Sequence, residues 1–413
     1  MTNFPKRTVQ SLLEDGSIVD LKDGNHGELH PTSNDYVADG IPFIMASDLN
    51  GNGLDLKNCK FISHEQASQL RKGFSITDDV LLTHKGTLGN VAIVPEVSPY
   101  IMLTPQVTYY RTNAEKLINR YLAYAFRDPL FQSQMKAVAR EGTRPYIGIT
   151  AQQDLVVPVP SLSIQKRIIE LLQPYDDLID NNNRRIALLE EAIHRLYREW
   201  FVHLRFPGHE HTPVVAGVPE GWEKRPLSEL ATTQYGYTES AQDEPVGPKY
   251  LRGTDINKTS YIDWSTVPYC PIDDDILPKF KLDKYDILMI RMADPGKVGI
   301  VEKEIESVFA SYLVRIKPIS EELTPYYLFY FLNSHEYQGF ITGASTGATR
   351  KSASAKLMTS VKIMLPSQTI QQAFADYVVP MRQQITTLLT QNEKLREARD
   401  ALLPRLMNGS LPM

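Results

Sequence analysis

Two long stretches of the chain set apolar against charged positions at helical spacing. In the first, Ile164, Ile168, Leu171, Tyr175, Leu178, Ile186, Leu189, Ile193, Leu196 and Trp200 recur mostly at steps of three and four. In the second, Ile370, Phe374, Tyr377, Met381, Ile385, Leu388, Leu395, Leu402 and Leu406 do the same. Charged residues such as Arg184, Arg185, Glu190 and Glu191 fill the other faces. The pattern predicts two amphipathic helices, each with one narrow stripe. From Pro174 to Leu204 the first would be on the order of 45 Å long. Pro174 and Pro380 are expected to start a new helix or to kink a longer one. A stripe this long and narrow needs a partner, and the other helix, paired antiparallel as a coiled coil, is the simplest one; the alternative is two helices lying separately on their own domains. Asn182 and Asn392 interrupt the stripes near their middles. Facing asparagines would fix the register; a solvated patch reads equally well.

Ahead of each helix the period changes. Short β-branched or aromatic runs, "IPFIM" (41–45), "VTYYR" (107–111), "YDILMI" (285–290) and "SYLVRI" (311–316), are bounded by turn residues and predict strands. Helical stretches at 119–138 and 325–341 interrupt them, so the fold class is α+β. The two textures occur twice. "THKGTLGNVAIV" (83–94) and "IRMADPGKVGIV" (290–301) share Gly89/Gly296 and Val91/Val298; "SDL" (47–49) matches "TDI" (254–256), "EGTR" (141–144) matches "GATR" (347–350), and Pro174 matches Pro380. An offset of 206 or 207 is too long for a solenoid and describes a duplicated domain plus connector, a pseudo-twofold internal repeat.

With 413 residues, 42% hydrophobic and 23% charged, the composition is that of a globular protein of two or three domains. No apolar run is long enough to span a membrane, and "MTNFPKRTVQ" has no signal-peptide core, so a cytoplasmic, membrane-free protein is expected. Two cysteines exclude a disulfide framework or a cysteine zinc site. The net charge of −5 confines any nucleic-acid contact to local basic patches.

Catalytic constellations are missing. "DPGKVG" (294–299) lacks the upstream glycine and the Ser/Thr of a phosphate loop, and no H-E-x-x-H, C-x-x-C, G-x-S-x-G or amino-methyltransferase signature occurs. Matched positions differ instead in polar side chains: His84 against Arg291, Lys85 against Met292, Asn90 against Lys297. Such side chains can contact base edges, whereas the surrounding framework stays apolar or glycine. Tyr109, Tyr110, Arg140, Arg144 and Tyr146 add a basic, aromatic group to the first copy; Arg350, Lys351 and Lys356 add one to the second. Two differently decorated readers on one scaffold describe this best. A stand-alone DNA-modifying enzyme, testable by assaying the chain alone with S-adenosylmethionine and Mg²⁺, and a scaffold binding only proteins, testable by footprinting, are the competing readings.

"DGNHGELHP" (23–31), "GIPFIMASDL" (40–49), "DVLLTHKGTLG" (79–89), "LTPQVTYYR" (103–111) and "LYREWFVHLRFPG" (196–208), with the duplicated layout, resemble specificity subunits of type I restriction-modification systems over nearly the whole chain. The resemblance implies two target recognition domains, 1–160 and 208–365, separated by conserved connector helices, 161–207 and 366–413, that pair as an antiparallel coiled coil. It implies a non-catalytic subunit that reads a bipartite site on double-stranded DNA, one half per domain. Two methyltransferase subunits would dock on the helices and motor-nuclease subunits join; S-adenosylmethionine, ATP and Mg²⁺ belong to those partners, and this chain needs no cofactor and no metal. Carried over by position, DNA-contacting residues are Asn25, His26, His84, Lys85, Thr87, Arg144 and Tyr146 in the first domain, and Arg291, Lys297, Arg350 and Lys351 in the second. Nothing in the second copy is seen to match "DGNHG". The helix interface is expected at Leu178, Asn182, Ile186, Leu189, Ile193 and Trp200, against Ile385, Leu388, Asn392 and Leu395.

Overall fold

Runs such as Val80-Leu81-Leu82-Thr83-His84, apolar or small on both faces, can only be central strands, and Val80–Lys85 is buried along all but its last residue. In the computed structural model, which describes residues 4–27, 29–50, 53–139, 145–257, 259–344 and 352–411, this strand lies inside a four-stranded antiparallel sheet. Its neighbours are Thr87–Ile93 and Val107–Thr112, and Ile18–Asp23 closes the far side. A second sheet runs Tyr36–Val37, Lys60–Ile62, Ile41–Ile44, Ile101–Leu103, Phe74–Ser75, with the pair Ile41–Ile44/Ile101–Leu103 parallel. These elements, residues up to Asn181 and those from Lys394 onward form one unit; Asn182–Glu393 form the other.

The second unit repeats the order. Ala231–Tyr235, Leu313–Pro318, Ile287–Ile290 and Val298–Ile300 make an antiparallel sheet of the same topology, and Lys249–Leu251 pairs parallel with Ser307–Phe309. In each unit a short ladder joins the start of the domain to the strand before the long helix: Lys6–Thr8 with Val156–Pro158, and Glu223–Pro226 with Lys362–Leu365. A buried glutamine then fastens that helix. Gln165 Nε2 donates to the Pro160 carbonyl (3.0 Å) while its Oε1 accepts from the Ile118 amide (3.0 Å). Gln371 repeats this with Pro366 (2.9 Å) and Thr324 (2.9 Å).

The helices run Leu162–Tyr197 (36 residues) and Gln368–Met407 (40 residues). Pro174 and Pro380 lie inside continuous helices rather than at a first turn, so neither starts a new one. In the first unit Ile168 and Leu172 share a core with Leu403, Leu406 and Met407. In the second, Ile186 and Ile193 share one with Phe374, Val378, Ile385 and Leu388. The chain directions are opposed: within the second unit Asn182 meets Asn392 and Glu190 meets Arg382. Leu178, expected in this interface, is instead half exposed, and Ile179 beside it is fully buried. Leu189 and Leu395 are partly buried; Trp200 is buried.

Each unit buries one charged hub on its helices. Asp176 accepts from Arg399 Nη1 (2.6 Å) and from the Tyr124 hydroxyl (2.7 Å), with Arg127 at 3.5 Å. At the matched position of the repeat stands Arg382, 1% exposed, whose Nε donates to Glu302 (2.8 Å) and whose Nη1 lies 3.7 Å from Glu190. Hub polarity is reversed between the units, and both hubs are paired, as burial of a charge requires.

Candidate nucleic-acid interface

Both repeated blocks fold as a hairpin whose tip is held by a glycine and a glutamine. Gly89 (φ +84°) and Gly296 (φ +103°) occupy the left-handed region, where a side chain is strained. A Cβ on Gly89 would sit 2.0 Å from the Gln132 side chain. Gln132 Nε2 donates to the Gly89 carbonyl at 2.9 Å and to Phe126 at 2.6 Å; Gln338 Nε2 donates to Gly296 at 2.7 Å and to Leu332 at 2.6 Å. The opposite arm is held by backbone. The Ile147 amide donates to the His84 carbonyl (3.0 Å), and the Ala353 amide donates to that of Arg291 (2.8 Å). Lys85 bridges to Tyr146, as Met292 does to Ser352.

On this frame the first unit presents Lys85 and Thr87, both exposed, and Tyr146, 37% exposed, with the Lys85 ammonium 5.9 Å from the Tyr146 ring centre. His84 is not presented. It is 1% exposed, its Nδ1 donates to the Ile147 carbonyl (3.0 Å), and its ring packs 5.7 Å from that of Tyr146. Burial pushes its pKa down, so the imidazole is neutral and supports Tyr146 from beneath. Tyr109 and Tyr110 are also buried, their hydroxyls donating to Asp20 (2.6 Å) and Gln152 (2.7 Å). Asn90, variable between the copies, ties the hairpin to the Leu49 carbonyl (2.8 Å).

Asn25 is 5% exposed; its amide donates to the Leu103 carbonyl (2.8 Å), and its own carbonyl accepts from His30. His26, beside it, is exposed and lies 2.9 Å from the Lys72 ammonium, which pairs with Asp23 (2.7 Å). Asn25, His26, Arg71 and Lys72 line a cleft of about 470 Å³. The second copy does have a counterpart to "DGNHG". Gly24 and Gly236 both press against the end of the parallel strand, where a Cβ would meet carbonyl oxygens at 2.0 Å and 2.3 Å, and the Tyr237 amide donates to Phe309 (2.8 Å) as Asn25 does to Leu103. The expectation that nothing matched is therefore corrected: Gly236-Tyr237 holds that place.

In the second unit Arg291 lies 4.7 Å over the Tyr235 ring, and Lys297 is exposed. A cleft of about 860 Å³ opens beside the hairpin, lined among others by Thr238, Arg252, Asn257, Met292 and Tyr312. Arg71, Lys72, Arg252 and Tyr312 line these clefts and are not among the residues singled out from the sequence. The "RK" pair at 71–72 was the available signal in the first copy. In the second, Arg252 sits three residues before the aspartate of the matched "TDI" turn, where the first copy has Met45. Arg140, Arg144, Arg350 and Lys351 lie outside the described residues. Among the described residues no group of His, Cys, Asp and Glu could hold a metal ion, and no helix is long and apolar enough to cross a membrane.

The model of the type I restriction modification DNA specificity domain matches this chain twice, over residues 13–191 and 219–397. The chain is similar to the type I restriction enzyme MjaIX specificity subunit of Methanocaldococcus jannaschii, at 23% identity over 435 residues covering 99% of this chain and 96% of that one. It is similar to the EcoBI specificity subunit of Escherichia coli, at 23% identity over 400 residues covering 90% and 80%. Its fold is similar to that of the S subunit of a type I restriction-modification system from M. genitalium (TM-score 0.50, 17% identity, 98% and 96% covered).

Proposed function

Because this chain belongs to the family of type I restriction-modification DNA specificity domains, we propose that its two units each read one half of a bipartite site on double-stranded DNA. One observation carries the reading. The same hairpin, locked by the same glycine–glutamine contact, occurs in both units with different exposed side chains at its tip. A frame held by backbone and by partly buried glutamine amides leaves the tip residues free to differ, which is what two half-sites of unlike sequence require. Lys85, Thr87 and Tyr146, with Arg144 beyond the described residues, are assigned to one half-site. Arg291 and Lys297, with Arg350 and Lys351 likewise beyond them, are assigned to the other. Arg71 and Lys72, beside His26, supply local positive charge suited to phosphate on a chain whose net charge is −5.

The subunit does no chemistry on this reading. It directs adenine methylation by methyltransferase subunits docked on the long helices, and cleavage by motor-nuclease subunits, in the cytoplasm. Exposed apolar residues on the first helix, Leu171, Leu178 and Leu188, support a protein partner there. Reconstitution with methyltransferase subunits, followed by mapping of methylated adenines, tests the proposal. A split motif is expected, with no methylation or Mg²⁺-dependent cleavage by the chain alone. Catalysis by the isolated chain, or methylation without a split motif, overturns it.

A further inference from the structure

The second unit carries an arginine whose geometry is set before any ligand arrives. Arg252 precedes the short turn Gly253–Asp255, and Asp255, with a side chain 6% exposed, closes that turn by accepting from the Arg252 amide (2.7 Å). The same carboxylate takes one edge of the Arg252 guanidinium, Nε at 3.2 Å and Nη2 at 3.0 Å. That pairing uses the Nε–Nη2 edge. It leaves the outer Nη1–Nη2 edge with two N–H groups side by side, and Nη1 has no partner among the described residues. The Arg252 side chain is 38% exposed and lines the 860 Å³ cleft with Thr238, Glu239, Asn257, Met292 and Tyr312.

Two parallel donors at that spacing fit the O6 and N7 acceptors of guanine in the major groove, and neither adenine nor the pyrimidines offer that pair. A guanidinium already clamped along its other edge loses little rotamer freedom on binding, so its selectivity is not diluted by alternative poses. The matched turn of the first unit supplies the contrast. There Asp48 accepts from the Met45 amide at 2.7 Å, so the turn is the same, but the residue at the Arg252 position is an apolar thioether with no donor. The difference lies in the side chain and not in the frame.

We propose that Arg252, aligned by Asp255, reads a guanine in the half-site of the second unit. The inference rests on the reading of each unit as a half-site reader. The complex with methyltransferase subunits is assayed on duplexes in which each guanine of the second half-site is replaced in turn by 7-deazaguanine, which keeps base pairing and lacks N7. One position should weaken binding by about tenfold. In the complex carrying Arg252→Met, the residue the first unit uses at this point, that sensitivity should vanish. The methylation motif should then relax at that position by about five- to a hundredfold, with the first half-site unchanged. Arg252→Lys keeps the charge and loses the fork, so it should relax the same position. Rescue by Lys, or uniform weakening on all sequences, would identify a phosphate contact and overturn the proposal. So would a wild-type complex insensitive to every 7-deazaguanine, which needs no variant to fold. A wild-type complex without any split motif would sink the half-site reading itself, and is thereby told apart from failure of this assignment.

Discussion

Asn182 Nδ2 donates to Asn392 Oδ1 at 2.9 Å in the seam of the helix pair, both residues being buried. Asn392 in turn donates to Asn183 Oδ1 at 2.9 Å. A single Asn182→Leu or Asn392→Leu change leaves a buried amide without its partner and should cost about 1–3 kcal/mol in denaturant unfolding. The double Leu variant should recover most of that loss, since two apolar side chains pack as well as two amides bond. Its helices should hold their register less strictly, visible as faster amide exchange along the seam. A double variant no more stable than either single one would mean the pair is not coupled.

The hairpin tips should act separately. Lys85→Ala or Tyr146→Ala should alter methylation at one half-site, and Arg291→Ala or Lys297→Ala at the other. A base contact costs about 1–3 kcal/mol at one position, whereas a phosphate contact weakens all sequences alike. Motif mapping on each variant complex reads both outcomes. His84→Gln differs in kind: by loosening Tyr146 from beneath, it should lower thermal stability together with first-half-site selectivity.

Two histidines tie stability to pH. Burial pushes the pKa of His84 below its ordinary 6.5, with Asp23 and Lys85 the nearby charges. It does the same to His194, where Arg382 and Arg198 add to the effect. In the unfolded chain both take up a proton near pH 6.5, while the folded forms resist it until lower pH. Their stabilising contribution is therefore complete above about pH 6.5 and is lost as the pH falls through the folded values. Melting temperature measured from pH 7.5 to pH 5 should fall, and His84→Gln should flatten part of that slope.

If the helix pair sets the spacing of the half-sites, lengthening it should lengthen the spacer. Ile186 and Leu388 lie near one level of the seam, beyond the asparagine pair. A heptad inserted after Ile186 and another after Thr387 would keep the stripes in phase and the Asn182–Asn392 bond intact, and would add about 10 Å. Methylation mapping should show the spacer grown by about three base pairs with both half-sites unchanged. A folded, active variant with the original spacer would remove the helices as ruler.

The repeat and its α+β texture were legible because core strands and glycine positions are constrained by packing and by positive φ, and so recur at a fixed offset. The helix seam was legible only in part. Its buried positions pass through Ile168, Leu172, Asp176, Ile179, Asn182 and Ile186. Two of these are polar, and the apolar signal jumped one residue to Leu171 and Leu178, which face outward. Asn182 and Asn392 showed as breaks in the two stripes, but Asp176 declares itself only through its partner Arg399, 223 residues away. His84 was misread for the opposite reason: a polar residue in a loop-like motif looks presented, yet the strand buries it. The Gly236-Tyr237 counterpart of Gly24-Asn25 was hidden because it lies 212 residues on, as the strand before it does, while the strands after it keep an offset of 206 or 207. A length difference between that glycine and the next strand broke the alignment where the backbone did not change.

The glycine–glutamine lock has a consequence for heredity. Gln132 and Gln338 grip main-chain carbonyls, and the other arms are tied by the backbone amides of Ile147 and Ala353, so these contacts among the described residues do not depend on which side chains project from the hairpin ends. Exchange of an exposed tip residue such as Lys85 or Lys297 falls in the class of surface substitutions worth within about 0.5 kcal/mol of folding stability. On the proposed assignment of the tips to the half-sites, a lineage carrying this chain could change the word it reads by single codon steps, while the grammar that holds the word in place is inherited unaltered.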